Sequence, residues 1–167
     1  MNHWWYHVSV FFHILSAITW VGGMLFIVMV LAPLLRSADF RPVAARVLHV
    51  TGKKFKKIGW ACLLLLTGTG FLNAVARYGY GGQPWGEWGA AVFANKVLMH
   101  KIYTLGLILV LSALHDFHIG PAAVRAMRNA AEAPETLRLR RLAAWMGRIN
   151  LLLALVIVWW ALQLVRG

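Results

Sequence analysis

Acidic residues are scarce in this chain, with five Asp and Glu against seventeen Lys and Arg in 167 residues. Cysteine is nearly absent. The single one, Cys62, excludes an intrachain disulfide and any Cys-based zinc or iron–sulfur site, and its place in an apolar run reads as packing. No internal repeat, low-complexity stretch or heptad pattern is present, which removes solenoids and long coiled coils. No acid–base or nucleophile constellation is visible. There is also no Met-x-x-Met or Cys-x-x-Cys ladder, which argues against a Cu(I) conduit. The N-terminal segment lacks the positive n-region and small-residue cleavage site of a secretory signal, so it is expected to be retained.

What is present is apolar: 60% hydrophobic residues and nine tryptophans, with a mean hydropathy of +0.66. Such a composition predicts an integral membrane protein embedded in a lipid bilayer. The length leaves room for one domain of about four spans of roughly 20 residues each. The expected fold is all-α, a four-helix bundle with spans over about 5–35, 52–76, 94–119 and 146–165. The positive charge is segregated by loop, not spread over a face, which argues against nucleic acid and for topology. Arg36, Arg41, Arg46, Lys53, Lys54, Lys56 and Lys57 lie between the first and second segments, against Asp39 alone. Arg125, Arg128, Arg138, Arg140, Arg141 and Arg148 lie between the third and fourth, against Glu132 and Glu135. Both loops are therefore expected in the cytoplasm, and both termini on the outer, periplasmic side of the inner membrane. The nearly neutral middle loop, with Tyr80, Pro84, Trp85 and Trp88, goes outside with them. The basic clusters are also expected to meet anionic lipid headgroups, at about 1 kcal/mol per residue near the surface. The stretch from Arg125 to Arg141 reads as a surface helix broken near Pro134, or equally as a plain loop.

Histidines at membrane depth are costly and tend to mark function. His13 lies about a third of the way into the first segment, and His100 at a similar depth in the third. His49 opens the second, and His115 follows His100 at roughly 22 Å along a helix. At 100° per residue, His100, His115 and His118 share one face of the third segment, while Ser9, Trp20 and Met24 lie on the side of His13. This spacing suits one or two b-type haems with axial imidazoles from opposed helices, His13 with His100 outside and His49 with His115 inside, His118 competing with His115. His3 and His7 read as interfacial. Lys96 or Lys101 would snorkel to the surface or sit beside a haem propionate or anionic substrate. Asp116, the one acid inside a span, would orient an imidazole or pair with an Arg. The fourth segment has no histidine and reads as a structural wall.

The stretch Leu114-His115-Asp116-Phe117-His118-Ile119-Gly120-Pro121, after a helix that opens with Lys96, resembles the third-helix end of the CopD-like bacterial membrane family. The segment from His13 to Pro33, with Trp20, Gly22 and Gly23, resembles the first helix of that family and of HemJ-type proteins. The resemblance implies a four-helix inner-membrane bundle, with copper uptake or resistance as the usual CopD-like label. The HemJ-type likeness implies haem binding and protoporphyrinogen oxidation, with a first-helix histidine and a third-helix lysine mapping onto His13 and Lys96 or Lys101. The leading expectation is a bis-histidine haem b protein passing electrons to a redox partner or quinone-like small molecule, which makes a haem-dependent membrane oxidoreductase one reading. The alternatives are copper handling by His13, Met24, Met99 and His100, or a small accessory subunit in a homodimer or larger membrane complex.

Overall fold

The computed structural model describes residues 4–78, 85–129 and 133–166. His3, the Tyr80 to Pro84 part of the middle loop and Glu132 lie outside them. Among the described residues seven α-helices run in order: α1 (Trp4–Phe26), α2 (Ala32–Leu34), α3 (Ala44–Tyr78), α4 (Trp85–Ala94), α5 (Lys96–Ala113), α6 (Gly120–Asn129) and α7 (Pro134–Arg166). A π-helical turn, Ile27–Leu31, joins α1 to α2, and a second, Leu114–Ile119, joins α5 to α6. The result is four rods, Trp4–Leu34, Arg41–Arg77, Lys96–Met127 and Pro134–Leu164, each long and apolar enough to cross a membrane.

Local chemistry sets the ends. The Asn95 side chain accepts from the Leu98 N–H at 2.9 Å and starts α5, while Pro134 opens α7, where its missing N–H is no loss. Both π turns end against a proline. In a straight α-helix the rings of Pro33 and Pro121 would strike the carbonyls four residues back. The chain instead widens one turn. Ala32 N–H reaches the Ile27 carbonyl and Gly120 N–H the His115 carbonyl, each five residues back.

The rods pack mainly as α1 on α3 and α5 on α7. The α1–α3 register is antiparallel: Ser9 and His13 meet Thr69, Gly59 meets Trp20, and Gly23 meets Phe55. Ser9, His13, Trp20 and Gly23 are separated by four, seven and three residues, which places them on one face of α1. Gly23 lets the α1 backbone come so close to the Phe55 ring that a Cβ there would overlap it. At the centre, Trp20 and Met24, Cys62 and Leu63, Ile108, and Leu151 and Ala154 form one cluster drawn from all four rods. The outer surface is as apolar as this core, with Phe11, Ile18, Leu64, Phe71, Val110 and Leu152 all more than half exposed. Water would not tolerate so continuous an apolar surface on a monomer.

Candidate functional site

Two polar clusters interrupt the apolar interior. The first lies toward the ends of the rods that carry Trp4 and Lys96. His13 Nδ1 is 2.8 Å from Thr69 Oγ1, and Thr69 Oγ1 gives its own proton to the Leu65 carbonyl. The ring therefore donates to Thr69, which fixes the Nδ1–H tautomer and makes Nε2 the nitrogen that carries the lone pair. Gly70 lies under the ring, where a Cβ would stand 3.4 Å from Cε1. The Leu66 carbonyl and the Lys101 ammonium also lie within electrostatic reach of His13. Ser9 is buried on the same stripe of α1 and donates to the Thr69 carbonyl at 3.4 Å. Asn73, one turn beyond Thr69 on α3, keeps a buried Oδ1 without a partner. No carboxylate among the described residues pairs with Lys101, whereas His115 meets Asp116 at the other end of the bundle.

The second cluster lies at the basic end. His115 Nδ1 meets Asp116 Oδ1 at 2.8 Å, and Trp60 Nε1 donates to Asp116 Oδ2 at 3.0 Å. Lys56 donates to the Asp116 backbone carbonyl at 3.0 Å and lies 3.8 Å from the centroid of the Phe117 ring. The π turn explains the lysine. Gly120 N–H is spent on the His115 carbonyl, and the next residue is Pro121, so the Asp116 carbonyl has no backbone donor. Lys56 supplies one from α3.

His100 makes its contacts elsewhere. Its Nδ1 donates to the Lys96 carbonyl at 2.6 Å, and its ring stacks on Trp160 of α7 with centroids 5.0 Å apart. His49 is half-buried and His118 exposed, and neither makes a hydrogen bond among the described residues. Three of the four expected ligands are thus held in separate places, His13 against α3, His100 against α7 and His115 on its neighbour Asp116, and the fourth, His49, meets none of them. Counting along the rods from the Trp60–Asp116 and His13–Thr69 contacts, His100 lies on the order of 10 Å nearer its end of the bundle than His13 at 1.5 Å per residue. By the same count His49 lies roughly 16 Å beyond His115. Among the described residues no three of His, Cys, Asp and Glu are arranged to hold a metal ion. The copper set is also dispersed, since Met24 belongs to the central cluster, eleven residues and roughly 16 Å along α1 from His13.

Three functional contacts escaped the sequence reading. Nothing in the sequence marks Trp60, Trp160 or Thr69 as a partner of these groups, since an indole in an apolar run and a threonine between glycines read as packing until the register of two helices is known. The shared face of His100, His115 and His118 presumed an unbroken α-helix. The π turn adds about one residue and shifts the phase of everything beyond Leu114 by roughly 100°.

Comparison with known proteins finds a family without an assigned activity. The model of the domain of unknown function DUF4149 matches residues 15–132, a range that includes Lys101 and the whole second cluster and begins just after His13. A protein of Aquifex aeolicus (strain VF5), named only as uncharacterized, is 28% identical over 158 residues, which cover 94% of this chain and 93% of that protein. Neither match names the CopD-like or HemJ-type proteins. No solved structure matches the chain.

Proposed function

The chain belongs to the DUF4149 family, and we propose that it is a multi-pass membrane protein that binds a single b-type haem, or a closely related metalloporphyrin, in the pocket around His13. The observation that carries this reading is the pairing of an oriented imidazole with an uncompensated cation inside an apolar bundle. His13 is held through Nδ1 by Thr69, the arrangement in which a second partner fixes a ligating histidine and raises its basicity. Lys101 lies within electrostatic reach of the same ring, and no carboxylate among the described residues pairs with it. A buried ammonium in a membrane bundle calls for an anion, and a propionate supplies one. Gly70 presents no side chain beside the ring, which leaves a flat edge for a planar group.

In this reading His13 would hold the haem iron through its imidazole, and Lys101 would hold a propionate. The bound haem would supply one-electron chemistry. The chain's own residues orient the imidazole, neutralise the carboxylate and exclude water. The basic loops lie in the cytoplasm and both termini outside, following the positive-inside rule. An inner-membrane location accords with the same charge bias.

The test is an optical spectrum of the full chain, produced with haem supplied and extracted in detergent. The expected result is a b-type reduced-minus-oxidised spectrum that is lost in His13→Ala. Lys101→Gln should weaken haemin binding about tenfold, the loss of one buried charge pair worth roughly 1–2 kcal/mol. A colourless protein that ignores added haemin, or a spectrum unchanged in His13→Ala, would overturn the assignment.

A further inference from the structure

The basic end of the bundle carries more cations than its own contacts use, and the structure sorts them. Lys56 is committed to the Asp116 carbonyl and the Phe117 ring. Lys53, Lys54 and Lys57 are exposed on α3, point charges that form no ion pair among the described residues. On α7 the arrangement differs. Arg138, Arg141, Trp145 and Arg148 follow one another at spacings of three, four and three, so they share one helical face. Arg138 and Arg141 are exposed, Trp145 is 58% exposed, and the Arg148 guanidinium lies over the Trp145 ring at 5.3 Å. The one acidic residue of α7 is Glu135, at its first turn, so nothing further along the helix neutralises these guanidiniums.

The height of this face matters. The apolar run of α7 begins at Ile149, immediately after Arg148. Trp145 and Arg141 then stand roughly 5 and 10 Å beyond the hydrocarbon boundary, at 1.5 Å per residue. The headgroup layer is about 5–8 Å deep on each side, and tryptophan favours that level. An arginine side chain bends back far enough to place its fork there. Guanidinium forks bind phosphate in two parallel hydrogen bonds, where a lysine offers a single charge.

From this geometry we infer that Arg141, Trp145 and Arg148 form a binding site for the phosphodiester headgroup of an anionic glycerophospholipid. Arg148, stacked on the indole, is set in advance, and Arg141 closes from the water side with Arg138 above it. The charge complementarity is one-sided: three guanidiniums face a leaflet that carries the opposite sign, with no acid between them. The inference rests on the membrane-spanning part of the reading above and is independent of haem.

The experiment uses the full chain in mixed detergent micelles, with phosphatidylglycerol or phosphatidylcholine as the probe and retained lipid counted by native mass spectrometry. Wild-type protein should retain phosphatidylglycerol at least tenfold more than phosphatidylcholine. The R141Q/R148Q variant should lose that preference about tenfold, while K53Q/K54Q, with the same loss of charge, should keep it within twofold. R148K should fall between, because it keeps the charge and loses the fork. Should R141Q/R148Q fail to give a monodisperse helical protein, W145L tests the same site through the indole and should lower retention severalfold. Equal loss in the arginine and lysine variants would reduce the effect to overall charge and overturn the site. So would wild-type protein that does not distinguish the two lipids, or inorganic phosphate competing fully at millimolar concentration. Protein that partitions into the aqueous phase without detergent would refute the membrane reading itself, an outcome separate from failed lipid selectivity.

Discussion

At the scale of single residues, Asp116 is the most constrained polar group in the described interior. Its two carboxylate oxygens each take a donor, from the His115 ring and from the Trp60 indole. Asp116→Asn keeps the shape but removes the charge, and one amide nitrogen would then face a donor. A cost of about 1–2 kcal/mol is expected, within the range for a lost polar contact between membrane helices and for a donor left unmatched. Thermal unfolding in detergent followed by circular dichroism reads it as a lower midpoint. Trp60→Phe should lower the midpoint by less, since it removes one donor and leaves the His115 bond. An Asp116→Asn midpoint equal to wild type would show that the carboxylate holds nothing in place. The role of Asp116 beside an imidazole was legible in sequence, because the two are neighbours in the chain. Trp60 was not, because an indole in an apolar segment gives no sign of where its N–H points until the register of two helices is known.

At the scale of elements, the two π turns follow from proline placement, and each leaves a carbonyl without a backbone donor. The sequence showed Pro33 close to the end of the first segment and Pro121 at the end of the third, but the choice between breaking a helix and widening one turn depends on what can satisfy the freed carbonyl. For the second turn that donor is Lys56, sixty positions before Asp116 in the chain and held 3.0 Å from the Asp116 carbonyl by the packing of α3. A double-mutant cycle isolates the effect. Lys56→Met should destabilise the wild-type background by about 1–2 kcal/mol, because it strands a buried carbonyl. In the Pro121→Ala background the new N–H supplies a backbone donor, and the cost of Lys56→Met should fall by at least half. Equal costs in both backgrounds would mean that the lysine acts through the Phe117 ring alone. Gly120→Ala belongs to the same set. Its Cβ would stand 2.9 Å from the His115 carbonyl oxygen, so the substitution should destabilise the widened turn, and less so once Pro121 is replaced.

At the scale of the whole molecule, four apolar rods were legible because a bilayer-length run of apolar residues leaves few other structures open to the chain. Where histidines on different rods would stand relative to one another was not. Depth along a bundle is set by register, and register here is fixed by contacts such as Gly23 on Phe55 and Trp20 on Gly59, which depend on shape more than on residue class. Orientation, by contrast, is a matter of charge. If the positive-inside bias governs the chain, a phosphatase reporter fused after Gly167 should be active outside the cell and a fluorescent reporter there dark, with the opposite result for a fusion placed between α6 and α7. Replacing Arg36, Arg41, Lys53, Lys54 and Lys57 by Gln should convert that single result into a mixture, because the stretch from Arg36 to Lys57 would keep only Arg46 and Lys56 as cations. Lys56 stays in this variant because its bond to the π turn would confound a change of topology with a loss of folding. A chain that keeps one orientation after losing five charges would show that packing of α1 on α3, and not charge, decides which face of the membrane each loop occupies.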